Sequence, residues 1–270
     1  MPEGDTIHRA ARTLHAALSG QTVTKFVSVF TQLTRVDAEK PLAGRTVEGV
    51  DAAGKHLLMH FSGDLHLRTH MRMNGSWHIY RPGERWRKRS HEMRIVVETA
   101  AWVAVAFNVP VSEFLEGRAL ERQDDLLHLG PDLIAPAFDA LEARRRIREH
   151  QDEEIANVLL NQRVVSGIGN EYKSELLFMA RVNPFTHVQD LTDEQLDTIL
   201  TIARKIMVAN VEMRSPSRVT TFSLDPRHKQ YVYSRGGQSC RRCATRIQFA
   251  KQGKDVRGTY WCPACQPSRS

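Results

Sequence analysis

Two groups of residues in this chain have types and spacing suited to chemistry, one near each end. The first is Met1-Pro2-Glu3. Removal of Met1 would leave Pro2 as the chain terminus, with a secondary amine. An α-amine titrates near pH ~8, so a useful neutral fraction exists at cellular pH. A neutral amine attacks carbon electrophiles and forms covalent imine-type adducts. Glu3, one residue away, is placed to shuttle protons if burial raises its pKa. Alone, a proline after an initiator methionine signals only that the methionine is removed, so the reading needs support from the rest of the chain. The second group is Cys240-Arg-Arg-Cys243, eighteen residues, then Cys262-Pro-Ala-Cys265, the only cysteines in the sequence. This is the paired CxxC spacing of a zinc site, and four thiolates leave no open position, so the metal would be structural. A redox pair is the alternative.

These groups need elements to hold them. The chain has 270 residues, enough for two domains of ordinary size, and 41% hydrophobic residues, enough for real cores. A net charge of +7 and a pI near 9.4 favour a polyanionic partner, nucleic acid first and an anionic membrane second. No apolar run approaches the ~18 residues of a membrane span, and no signal-peptide pattern opens the chain. A cytoplasmic, nucleoid-associated protein is expected, and clustered cysteines there suggest metal more than disulfides.

Residues 5–19 read as an amphipathic helix, with Ile7, Ala10, Ala11, Leu14, Ala17 and Leu18 at helical spacing and Gly20 as its stop. It follows directly on Pro2-Glu3. From 21 to about 110 the pattern is strand-like: Thr22–Phe30, Thr46–Asp51, His56–Phe61, Leu65–His70, Ser76–Tyr80, Met93–Glu98 and Trp102–Phe107. Many short strands argue for a sandwich or barrel. The histidines scattered here lack metal-ligand spacing and read as surface or groove residues. Gly54-Lys55 stands at the start of a strand, where the lysine could hold a phosphate or simply be solvated. In the loop His70–Gly75, Met73 between Arg72 and Asn74 is either core filler or an apolar wedge for a base stack.

Leu129-Gly130-Pro131-Asp132 marks a boundary, after which the pattern turns helical: Phe138–Glu149, Asp152–Asn161, Asn170–Ala180 and Asp193–Val211. Thr192 and Gln195 form a capping box for the last, with Leu191 and Leu196 as its staple. Arg144–Arg146 read as a solvated helix face. Gly167 and Gly169 give a tight path into the helix at Asn170, whose N-terminus suits a phosphate. Arg214–Lys229 reads as a mobile loop. Ile247–Phe249 and Thr259–Trp261 would form a hairpin between the cysteine pairs, with Arg257 able to reach a phosphate. The expected class is α+β multidomain: an N-terminal domain over 1–130, a helical domain over 131–234 and a zinc hairpin over 235–270.

Taken together, Pro2-Glu3-Gly4, Gly54-Lys55, the His70–Gly75 loop, Leu129–Asp132, Leu160–Tyr172, Val232-Tyr233 and the run from Arg257 to Gln266 resemble, in order, the formamidopyrimidine-DNA glycosylase/endonuclease VIII family of base-excision repair enzymes. The resemblance implies a β-sandwich with a catalytic N-terminal helix, a helix–two-turn–helix domain and a zinc β-hairpin. It implies damaged DNA as partner, with the nucleotide flipped out, and one structural Zn2+. It casts Pro2 as the nucleophile at C1′ and Glu3 as the proton donor. Lys55, Asn170 and Arg257 become phosphate holders, and Met73 the wedge beside Arg72 and Asn74. Two departures bear on specificity. Asp5-Thr6 stands where many relatives have Pro-Glu, and Val109–Phe114 lacks the arginine that guanine-lesion members place opposite the lesion. Oxidised pyrimidines are therefore favoured over oxidised purines. A non-catalytic abasic-site binder and an RNA or ribosome binder are the competing classes. A monomer is the default expectation.

Overall fold

A computed structural model describes residues 2–213, 218–221, 223, 225 and 227–268; it divides into two units, 1–128 and 129–270. Met1, whose removal the reading of Pro2 requires, lies outside the described residues.

The first unit is a β-sandwich carrying one long helix. Helix α1 (Gly4–Leu18) leads into β1 (Val23–Ser28), α2 (Thr31–Glu39), β2 (Val47–Ala53), β3 (His56–Phe61), β4 (Leu65–His70), β5 (Ser76–Tyr80), β6 (Met93–Thr99), β7 (Val103–Phe107) and β8 (Val111–Glu116). Two short turns, α3 (Arg118–Glu121) and α4 (Asp124–Leu127), close the unit. One antiparallel sheet has the order β1-β6-β7-β5 and the other β2-β3-β4-β8. Side-chain alternation builds the core. Ile95, Val97, Ala104 and Ala106 face inward to meet Leu57, Met59, Phe61, Leu65 and Leu67 of the other sheet, together with Ile7, Leu14 and Leu18 of α1. Their neighbours Val96, Val103, Val105 and Phe107 form a second, outer cluster covered by Trp86.

Sequence periodicity does not mark α2 or β8. In α2 only Leu33 is buried, too little to mark a periodic face. In β8 the alternation is broken by Glu113 and Phe114, which serve a charged cluster and a Phe26–Phe114 ring contact.

The second unit packs α5 (Ala140–Arg148), α6 (Ile155–Val158), α7 (Asn170–Met179) and α8 (Asp193–Glu212) around a core that includes Ile147, Leu159, Val165, Tyr172, Leu177 and Leu200. The α8 capping box forms as expected: Gln195 N donates to Thr192 Oγ1 (3.3 Å) and Thr192 N to Gln195 Oε1 (3.0 Å). Leu191 and Leu196 are both buried beside it. Helix α6 is shorter than the expected 152–161, because the amides of Ile155 and Ala156 donate to the carbonyls of Thr186 and Pro184. Gly130 permits a close crossing: a Cβ there would lie 2.3 Å from the Val164 carbonyl oxygen.

Arg144–Arg146 are not simply solvated. Arg144 pairs with Asp197 (2.6 Å), and Arg145 and Arg146 both pair with Glu142 (2.7 Å). The expected mobile loop over 214–229 is also corrected where it is described. Arg218 is buried and pairs with Glu171 (2.7 Å), and Asn210 bonds both backbone groups of Val219. The carboxylate of Glu175, fully buried, accepts from the amides of Tyr231, Val232 and Tyr233, each at 2.7 Å, and from the Thr220 hydroxyl. Burial pushes the Glu175 carboxyl up, and these donors pull against it. Residues 214–217, 222, 224 and 226 of that segment lie outside the described residues.

Strands β9 (Gln248–Gln252) and β10 (Arg257–Trp261) form the C-terminal hairpin, which docks on α7. Cys240, Ile247 and Cys262 share a buried cluster with Phe178 and Val232. Gln252 Nε2 reaches Glu154 (2.7 Å) and the Pro184 carbonyl (3.0 Å).

Candidate active site

Helix α1 runs antiparallel along β2. Gly20 N donates to the Val47 carbonyl (2.8 Å), and Val50 N donates to His15 Nδ1 (3.2 Å). From His15 back to Glu3 the chain travels about 18 Å at the helical rise. From Val50 on to Lys55 it travels about 17 Å at the strand rise. Pro2-Glu3 and the Gly54-Lys55 turn therefore sit at the same end of the sandwich. Glu3 is fully buried and occupies the N-cap of α1, with extended backbone (φ −128°) and a carbonyl that accepts from Thr6 N and Ile7 N. Its side chain does not cap the helix, so it lies buried near the positive end of the helix dipole. Pro2 is half-buried. Asp5 is buried as well and accepts a bond from the Thr6 hydroxyl (3.3 Å).

Lys55 lies in the two-residue turn joining β2 to β3 rather than on the strand itself. Gly54 has φ +56° and Lys55 does not share a positive φ, as a two-residue hairpin loop with glycine first demands. The ladder pairs His56 with His70, which brings the next loop to this same end. In that loop the two methionines separate. Met71 is 1% exposed and belongs to the core, whereas Met73 is 55% exposed between exposed Arg72 and Asn74. Arg72 adopts φ +49°, and its amide donates to His70 Nδ1 (3.0 Å).

Beneath this surface lies a cluster that sequence reading missed. Arg68, 4% exposed, pairs with Glu113 (2.5 Å) and Asp125 (3.3 Å) and donates to His56 Nδ1 (3.3 Å). The His56 and His70 rings meet edge to face at 4.9 Å. Burial first, then His70 and Arg68, brings the His56 pKa down to about 3. Burial first, then Arg72 and Lys55, brings His70 down to about 4. Both imidazoles are neutral at pH 7. Only the register of the β3–β4 hairpin, a fourteen-residue separation in the sequence, puts these histidines together.

A folded pKa below the unfolded value of 6.5 means that the unfolded chain binds these protons more readily. The stability is complete above pH 6.5 and is lost as pH falls toward 4. Urea titration at pH 7 and pH 5 should show the first unit losing on the order of 2 kcal/mol through His56. His56→Gln should flatten that dependence, and an unchanged slope would contradict the assignment.

In the second unit, α7 and the hairpin bring Asn170 and Arg257 together. Asn170 Nδ2 donates to the carbonyl of Gly258 (2.8 Å), the residue after Arg257. Lys173, 1% exposed, bonds the same carbonyl (3.3 Å) and Thr259 Oγ1 (2.7 Å). One amide hydrogen of Asn170 is thus spent on fixing the hairpin, leaving one for a ligand. Arg257 is about half exposed and lines an open concavity of about 540 Å³ with Asn157, Asn161, Lys254 and Asp255.

The four cysteines converge. All four Sγ atoms lie within 4.8 Å of one another, with Cys243–Cys262 at 3.4 Å, Cys243–Cys265 at 3.5 Å and Cys240–Cys265 at 4.0 Å. None forms a disulfide. A tetrahedron with Zn–S bonds of 2.3 Å has edges of about 3.8 Å, so the thiols present fit one metal ion. The turn carrying the second pair is held by Gln266, which accepts from Cys262 N (3.0 Å) and donates to the Val182 carbonyl (2.8 Å).

The first unit is thus a sandwich with a buried carboxylate next to Pro2, and the second a helical unit joined to a four-cysteine hairpin. Residues 1–110 match the formamidopyrimidine-DNA glycosylase N-terminal domain, and residues 129–222 match the formamidopyrimidine-DNA glycosylase H2TH domain. The "Probable endonuclease 8 2" of Streptomyces coelicolor is 40% identical over 269 residues, covering 98% of this chain and 94% of that protein. The "DNA-(apurinic or apyrimidinic site) lyase Nei2" of Mycolicibacterium smegmatis is 36% identical, covering 98% and 99%. The chain belongs to the formamidopyrimidine-DNA glycosylase/endonuclease VIII family. Among solved structures, Lactococcus lactis Fpg in complex with abasic-site DNA superposes with a TM-score of 0.83 over 99% of this chain and 100% of that one. At 22% identity that likeness establishes the fold.

Proposed function

We propose that this chain is a bifunctional DNA glycosylase and abasic-site lyase that prefers oxidised pyrimidines. The observation that carries the reading is the gathering of Pro2, buried Glu3, the Lys55 turn and the exposed Met73 at one end of the sandwich. With Met1 removed, the Pro2 nitrogen attacks C1′ of a flipped nucleotide. Glu3 gives a proton to O4′ as the C1′–O4′ bond opens, the base departs, and a protonated Schiff base remains. That iminium is an electron sink. It lets the C2′ proton leave and expels the 3′ phosphate, and a second elimination expels the 5′ phosphate. A water nucleophile supplies no such sink and would stop at base release.

Flipping costs a few kcal/mol. Lys55 on one unit, and Asn170 and Arg257 on the other, offset this by holding backbone phosphates. Met73 fills the vacated stack, with Arg72 and Asn74 against the unpaired base. Arg257 acts in catalysis by keeping the lesion phosphate in register. One Zn2+ on Cys240, Cys243, Cys262 and Cys265 supplies a structural cross-link and no chemistry. In this reading residues 1–130 carry catalysis, 131–234 grip DNA and 235–270 brace Arg257. The enzyme works as a monomer on damaged DNA in the nucleoid.

The pyrimidine preference rests on residues 109–114, which carry no arginine, and on Asp5-Thr6. A lesion panel with Met1-free protein, scored for base release and strand scission, tests it. Thymine glycol should be released faster than 8-oxoguanine; the reverse order would refute the preference. Strand binding without scission on any lesion would favour a non-catalytic damage binder. Lys55→Ala should weaken binding and lower the slope of log affinity against log salt by about one unit. An unchanged slope would remove Lys55 from the phosphate contacts.

A further inference from the structure

The crossover between β5 and β6 carries charge that the proposed chemistry does not use. Residues 81–94 hold six Lys/Arg against two glutamates, a large share of the net charge of +7. Both glutamates are spent on the backbone of the loop. Glu84 Oε2 accepts from Arg81 N (3.0 Å), and Glu92 accepts from Arg89 N (3.1 Å) and from the Asn108 side chain (2.7 Å). Among the described residues, no carboxylate pairs with Arg85, Arg87, Lys88 or Arg89. This contrasts with Arg144–Arg148 of the second unit, whose guanidinium groups are matched by Glu142, Glu149, Asp193 and Asp197.

The loop is built, not slack. It leaves β5 at Tyr80, opposite Val103, and re-enters the sheet at Met93, opposite Phe107. It thus crosses the outer face of the sheet, held there by Trp86 against Phe107 (5.7 Å) and by Arg87 N on the Tyr80 hydroxyl (3.1 Å). Between these anchors, residues 84–90 line a concavity of about 450 Å³. Its re-entry point lies at the end of the sheet where Ser76 also pairs with Phe107, directly after the Met71–Gly75 loop. Two inter-strand gaps separate Met93 from Ser76, about 10 Å. That is about three base-pair steps along a duplex.

We propose that Arg85, Arg87, Lys88 and Arg89 form an additional DNA-backbone grip, holding phosphates of the duplex that flanks the lesion. The inference rests on the DNA reading above and adds a contact surface to it. Unpaired cations on a fixed, exposed loop are the electrostatic footprint of a phosphate ladder, and their contact is independent of base sequence. Anchoring one flank while Met73 enters the stack lets the protein hold a bent duplex.

The test is R85Q/R87Q/K88Q/R89Q, three exposed positions and the half-buried Lys88, all outside both cores, beside a charge-preserving R85K/R87K/R89K variant. Binding is followed by anisotropy over a salt series, on a long abasic-analogue duplex and on one that ends just beyond the lesion. The expected result is weaker binding to the long duplex, with the salt slope flattened by about 2–3 units, little change on the short duplex, and wild-type slope in the lysine variant. An unchanged slope on the long duplex overturns the proposal, and so does an equal loss on the short one. Borohydride trapping by the wild-type protein is scored separately. Its failure would sink the lyase reading, while the salt slope would still report on this loop.

Discussion

Glu3→Gln should lower base release by about 10²–10⁴-fold while leaving affinity for an abasic-analogue duplex near wild type. Glutamine keeps the volume of a side chain that is fully buried, so the fold of the sandwich is retained. The substitution removes the carboxyl next to Pro2 that the proposed mechanism uses to protonate the opening sugar. Its position at the N-cap matters. The backbone carbonyl of Glu3 accepts the first two bonds of α1, and α1 is locked along β2 through His15. The carboxyl therefore stands on a rigid element rather than on a free chain end. Single-turnover rates on a thymine-glycol duplex, with binding measured in parallel, check the prediction. Equal losses of binding and rate would point to a damaged fold instead of a lost proton donor.

The second large effect concerns the metal. Cys262→Ser, or chelation of the native protein, should release the hairpin, displace Arg257 and lower DNA affinity by about tenfold or more. Structural zinc supplies on the order of 10–16 kcal/mol in small modules, comparable to the whole stability of a domain. The loss will not stop at the hairpin. Cys240 and Cys262 share a buried cluster with Phe178 and Val232, and Gln266 ties the second cysteine pair to Val182 and Asn183. The second unit should therefore melt earlier, while the sandwich, with its own core, keeps its transition. Calorimetry with zinc stoichiometry and DNA titration reads all three. A zinc-free variant with wild-type affinity would contradict the account.

Much of this was readable from the residues. The cysteine spacing, the Thr192–Gln195 box and the amphipathic stripe of α1 are local signals, and each is realised where the pattern put it. What stayed hidden depends on partners distant in the chain. Glu171, Lys173 and Glu175 look like solvated helix positions, yet all three are buried, because Arg218, Thr220, Tyr231–Tyr233 and the hairpin supply their partners. Met71 and Met73 are the same residue type two positions apart, and only the fold sends one inward and leaves the other exposed. His56 and His70 meet through strand register, which a scan for metal spacing does not test. The basic crossover reads as an ordinary polar loop until its glutamates are seen bonded to their own backbone.

The most direct measurement is borohydride reduction of Met1-free protein mixed with abasic-site DNA, followed by mass mapping of the cross-linked peptide. The expected result is a covalent adduct on the nitrogen of Pro2, abolished when a residue precedes that proline. No adduct with Met1 shown to be absent, or an adduct mapped to a lysine such as Lys55, would contradict it.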